Sequence, residues 1–180
     1  MSADVLVAGV GNIFLGDDGF GPEVVRHLGA PEQPPLPEPV RLVDYGIRGL
    51  HLSYDLLDGY SALIIVDAMP GLGPPGEIRV VAVDPEDAAA SKDPPGHDSP
   101  SYDPPSYDPH SMDPMAVLSG LPTLGGALPP TYIVGAQPGN LEEGIGLSDP
   151  MRAAVPVAGT AVRELLTTRP WAAGDEQGAD

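Results

Sequence analysis

Val5-Leu6-Val7-Ala8-Gly9-Val10-Gly11-Asn12 opens the chain's first readable element. Val5–Ala8 has no polar face, as in a strand covered on both sides of a parallel sheet. The glycines after it suit a tight loop. Beyond the loop, Phe20, Val24, Val25 and Leu28 recur at helical spacing, and Pro22 falls in the first turn, where its missing N–H costs little. A strand, a glycine loop and a helix in that order begin an α/β unit.

The same grammar repeats outward. Further strands are expected at Val40–Val43, closed by Asp44, at Ala62–Val66, closed by Asp67, at Glu77–Val83 and at Thr131–Gly135. A short helix is expected over Gly49–Leu57, with Leu50, Tyr54 and Leu57 on one face. Another follows Asp113-Pro114, with Met115, Val117, Leu118 and Leu121 as its apolar face. The last spans Asp149–Thr168, and Pro156 inside it should kink it or delay its start. The pattern implies an α/β three-layer sandwich: a mostly parallel, twisted sheet of about five strands flanked by helices. Residues 1–170 form one domain in this reading, and the acidic tail 171–180 should fray. Ligands of such sheets sit at the carboxyl ends of the strands, here Gly9–Asp18, Asp44 and Asp67.

Composition narrows the chemistry. Among 180 residues there are 23 Gly and 24 Pro, but they are bunched. Five prolines fall in residues 31–39, an extended linker, and eight in residues 84–114. A proline-rich insertion is placed at about 88–109, where Ser101-Tyr-Asp-Pro, Ser106-Tyr-Asp-Pro and Ser111-Met-Asp-Pro repeat every five residues. A net charge of −18 argues against nucleic acid and anionic membranes as partners. With no cysteine, disulfides, zinc–thiolate sites, iron–sulfur clusters and thiol nucleophiles are excluded. No targeting segment or apolar span is visible, so a cytoplasmic protein is expected.

Three signals carry chemistry. In Gly9-Val-Gly-Asn-Ile-Phe-Leu-Gly-Asp-Asp-Gly-Phe-Gly21, the third glycine of a dinucleotide fingerprint is replaced by Phe14, and two carboxylates would oppose a pyrophosphate. Asp17 reads as a cap of the following helix; Asp18 reads either as a cap or as a ligand. Asp67 ends a buried strand, where an acid must be paired, hydrogen-bonded or metal-bound. Of four histidines, His27 and His51 read as structural. His110 directly precedes a helix that can aim it, whereas His97 lies within the proline-rich loop. No Gly-x-Ser-x-Gly elbow, His-Glu-x-x-His or Walker loop is present. Two carboxylates and an imidazole suit a borderline divalent ion, but are fewer than the four ligands usual for a structural metal.

The first motif, with Asp44-Tyr-Gly-Ile-Arg-Gly, Ile65-Val-Asp-Ala, His110-Ser-Met-Asp-Pro and the later Gly135-Ala-Gln-Pro and Gly146-Leu-Ser, resembles the hydrogenase maturation endopeptidases. The resemblance runs from Val5 to about Leu166, outside the two proline-rich stretches. It implies a peptidase that removes a C-terminal extension from the large-subunit precursor of a nickel–iron hydrogenase after nickel insertion. It implies Asp18, Asp67 and His110 as the catalytic, metal-contacting residues, Asp18 standing where some members carry glutamate. The nickel is then supplied by the substrate, another divalent ion being an option in the free protein. Asp44, Tyr45 and Gly46 are expected to line the substrate cleft, and the protein is expected to be a monomer. Two other readings stay open: a non-enzymatic, metal-dependent assembly factor for the same precursor, and a nucleotide-binding α/β protein.

Overall fold

The structure, a computed structural model, describes residues 4–37, 39–84, 86 and 114–172. His97, His110 and the Ser-Tyr-Asp-Pro repeats lie outside them. Five strands, β1 (Val5–Val10), β2 (Val40–Gly46), β3 (Ala62–Ala68), β4 (Ile78–Val83) and β5 (Thr131–Ala136), form one sheet in the order β2-β1-β3-β5-β4. All neighbours run parallel except β4, which pairs antiparallel with β5 at the edge. Helices α1 (Phe20–Leu28), α2 (Gly49–Leu56), α3 (Pro114–Gly120) and α4 (Asp149–Thr168) accompany them among the described residues. One-turn 3-10 helices occupy Gly16–Gly19 and Leu121–Leu124.

Strand alternation divides the core into two layers. Val5 and Val7 of β1 and Ala62, Ile64 and Val66 of β3 pack with α1 and α4 on one face. Leu6, Ala8 and Val10 with Leu63 and Ile65 pack with α2 and α3 on the other. Both faces of β1 and β3 are therefore covered, which is why every residue of these strands is buried. The three-layer sandwich expected from the sequence is observed. The chain adds β2 on one side of β1 and then crosses over to add β3 on the other, so the order reverses between β1 and β3. Crevices at such reversals, beyond the carboxyl ends of the strands, are where open α/β sheets bind their ligands.

Several local expectations shift. Leu50, Tyr54 and Leu57 form the solvent-facing side of α2, while Leu52 and Leu56 make its buried side. Asp149 begins α4 without delay; Pro156 lies within it, and Pro150 occupies its first turn. Past Pro170, Trp171 packs on the α1/α4 layer, its ring centroid 6.0 Å from that of Tyr132, so order extends further than the sequence suggests. Among the described residues, no helix is long and apolar enough to cross a membrane.

Candidate functional site

The reversal between β1 and β3 is shaped by glycines. A Cβ on Gly21 would stand 2.2 Å from the carbonyl oxygen of Val10 and 2.3 Å from that of Val66. The first turn of α1 thus rests on the ends of both strands, an approach no larger residue permits. Helix-to-strand contact of this kind, assigned to the third glycine in dinucleotide folds, is met here at Gly21. Gly11 has φ +137°, and a Cβ there would fall 1.8 Å from the carbonyl oxygen of Asp18. The loop after β1 can therefore close on itself and deliver Asp18 back to the strand end.

Hydrogen bonds fix that loop. The Asn12 N–H donates to Asp18 Oδ2 (2.8 Å), and the Phe14 N–H donates to Asn12 Oδ1 (2.9 Å). The Gly11 N–H donates to the Gly46 carbonyl (3.0 Å), tying the end of β2 to the same loop. Asp18 is half-buried, and its one-turn helix touches β3. Asp67, 7% exposed, stands in register with Gly135 near the end of β3. Alternation gives it the parity of Leu63 and Ile65, which face the α2/α3 layer. Asp18 and Asp67 thus flank the reversal at one edge of the sheet. The α3 helix packs on that same layer, and His110, which precedes it in sequence, lies outside the described residues. Among the described residues, no three His, Cys, Asp or Glu side chains gather so as to hold a metal ion.

The three residues expected at a cleft separate. Asp44 is exposed and closes a turn by accepting the Gly46 N–H at Oδ1 (2.9 Å). Gly46, at φ +54°, supports that turn. Tyr45 is 2% exposed, its ring in the α2/α3 core, and its hydroxyl donates to Asp55 Oδ2 (2.5 Å). Burial, followed by the Asp55 carboxylate, pushes its pKa up. The expectation that Tyr45 lines a cleft is corrected: an apolar ring with one satisfied hydroxyl is better placed in the core.

Asp17 is the residue whose role the sequence understates. It is 0% exposed and does not cap α1, whose N-cap position is Gly19 and receives no side-chain bond. Its carboxylate reaches across the chain instead. Oδ2 accepts the N–H groups of Gly139 and Asn140 (2.8 Å each) and the Ser148 hydroxyl (2.8 Å), and Oδ1 accepts the Ser148 N–H (2.7 Å). Burial alone would raise its pKa; the bonds from Ser148, Gly139 and Asn140 outweigh that and hold it below the ordinary carboxylate value. Asp17 thereby locks the segment between β5 and α4 onto the loop that carries Asp18. Of the donors, Ser148 belongs to the late motif Gly146-Leu-Ser, while Gly139 and Asn140 follow Gly135-Ala-Gln-Pro, and nothing in either motif points to Asp17.

Comparison with known proteins agrees with this architecture. A family model described as hydrogenase maturation protease matches residues 22–165. A hydrogenase expression/formation protein, HupD of Rhizobium leguminosarum bv. viciae, is 31% identical over 171 residues, covering 93% of this chain and 75% of that protein. A protein of Methanocaldococcus jannaschii named for hydrogenase maturation is 40% identical over 82 residues, 45% of this chain and 51% of the relative. The chain thus spans about half the length of the latter. Among solved structures, the hydrogenase maturating endopeptidase HybD from Escherichia coli superposes with TM-score 0.71 at 30% identity, over 93% of this chain and 94% of that one. The chain belongs to the hydrogenase maturation protease family.

Proposed function

We propose that this protein is an endopeptidase that removes the C-terminal extension of a nickel–iron hydrogenase large-subunit precursor once nickel is in place. One observation carries the reading: Asp18 and Asp67 flank the strand-order reversal on a loop and a strand end too tightly held to drift. Two carboxylates fixed at that crevice can engage a cation already bound by the substrate, with His110, which precedes α3 in sequence, as third partner. Three protein ligands are enough to recognise such an ion and too few to strip it from the substrate groups that already hold it. The nickel is therefore part of the substrate, and another divalent ion can take its place in the free protein.

Peptide hydrolysis here uses water as nucleophile. The chain has no thiol, and its sequence lacks the serine elbow that would support a covalent intermediate. Asp44 and the backbone of Gly46, at the neighbouring strand end, border the approach of the scissile segment. The reading carries with it a monomer acting in the cytoplasm. It is tested by following the mobility of nickel-loaded and nickel-free precursor during incubation with the protein. Processing of the loaded form alone is expected, and Asp67→Asn should slow it by at least ~10²-fold, the scale of losing a key electrostatic partner. Equal processing by Asp67→Asn and the parent would refute the assignment.

A further inference from the structure

Beside the acids, two loops present a patch that the proposed chemistry does not use. Phe14 is 60% exposed and Ile145 79% exposed, and Ile13 and Leu141 are also exposed. The loops are bound to each other: the Gly144 N–H donates to the Phe14 carbonyl (2.8 Å) and the Gly16 N–H to the Gly144 carbonyl (2.9 Å). This is an isolated parallel bridge between Leu15 and Gly144, and it holds the backbone that carries Phe14 beside the backbone that carries Ile145. Asp17 anchors the loop from below, at both Asn140 and Ser148. Large apolar side chains on so firmly tied a backbone have not simply swung out of the core. Grouped exposed apolar residues mark interaction sites, where single ones need no explanation.

The charge beside the patch selects the occupant. Glu142 and Glu143 lie between Leu141 and Ile145, both exposed, and neither forms an ion pair with a described residue. The whole chain carries −18, so a basic surface is drawn to it from any direction. Asn12 bonds both the Phe14 N–H and the Asp18 carboxylate, so the patch and Asp18 share one loop.

We propose that the Ile13–Phe14 and Leu141–Ile145 loops form a docking rim for a segment of the substrate that combines basic side chains with an apolar anchor. This rests on the reading of the protein as a precursor-processing endopeptidase. Apolar anchors set how long such a segment stays, and the charges set how fast it arrives and how strongly salt opposes it.

The test measures two kinds of quantity, binding and turnover, with the parent and three variants. Binding is read on nickel-free precursor by fluorescence anisotropy, and KM and kcat on the nickel-loaded precursor. The doubly substituted Phe14→Ser/Ile145→Ser protein should bind at least ~10-fold more weakly and raise KM to match, with kcat kept, since removing hot-spot side chains acts on association. Glu142→Lys/Glu143→Lys should weaken binding and remove the parent's loss of affinity between about 50 and about 300 mM salt. Leu50→Ser, an exposed apolar residue on α2, serves as the control and should change neither quantity. Parent-like KM and binding in both rim variants would overturn the docking rim while leaving the endopeptidase reading intact. Rim-dependent binding by a parent that never cuts would sustain the rim and overturn the endopeptidase. A loss with Leu50→Ser as large as with the rim variants would place docking elsewhere.

Discussion

Replacing Asp17 by Ala removes one carboxylate and orphans donors on a segment more than a hundred residues away. Four hydrogen bonds of 2.7–2.8 Å are lost together. Bonds to a charged acceptor are worth about 1.5–3 kcal/mol each, and a buried donor left unpaired costs about 1–3 kcal/mol. The full sum is not expected. The Ser148 hydroxyl can rotate, and Gly139 and Asn140 belong to exposed residues whose N–H groups can reach water once the carboxylate is gone. Two losses set the scale, so about 3–6 kcal/mol of stability should disappear, a large part of the roughly 5–15 kcal/mol a domain has. Urea denaturation followed by circular dichroism at pH 7 measures it, with an unchanged m value marking a change in stability alone. The acid limb supplies a second check. Asp17 has a lower pKa folded than unfolded, so its contribution is whole above the carboxylate range and is lost as pH falls through it. The gap between parent and Asp17→Asn should therefore narrow steadily on acidification. A loss at pH 7 below about 1 kcal/mol for Asp17→Ala, the net worth of one ordinary hydrogen bond, would refute the clamp.

Gly11→Ala should abolish processing and lower the melting temperature, because its Cβ would occupy the place of the Asp18 carbonyl, 1.8 Å away, at a φ of +137°. Tyr45→Phe should cost about 1–2 kcal/mol through the lost bond to Asp55, yet process precursor at the parent's rate; slowed processing with unchanged stability would return Tyr45 to the cleft. His110→Ala should be inactive in the mobility assay and His97→Ala active, and the reverse outcome would move the third ligand into the proline-rich loop.

How far the sequence could be read depends on what each residue answers to. The strands β1 and β3 are covered on both faces, so Val5–Ala8 and Ala62–Val66 show as unbroken apolar runs. The helices α1 and α4 have long amphipathic patterns and were legible to their ends. α2 is short and apolar on two sides, and periodicity could not choose between Leu50–Tyr54–Leu57 and Leu52–Leu56. Direction is not encoded locally in a strand, so the antiparallel course of β4 was invisible. Asp67 could be placed at a strand end because it directly follows an unbroken apolar run, whereas the residues alone left Asp18 as either a cap or a ligand. The role of Asp17 could not be read, because its partners lie 122 to 131 residues further along and only the folded chain brings them together.

The central claim is that one defined peptide bond near the precursor's C-terminus is cut. Intact mass spectrometry of the nickel-loaded precursor, before and after incubation with this protein, tests it most directly. The account predicts a single discrete loss of mass, equal to one C-terminal fragment recovered in the same spectrum, and no loss with Asp67→Asn. A complex between protein and precursor in which the precursor's mass never changes would contradict it and identify an assembly factor instead.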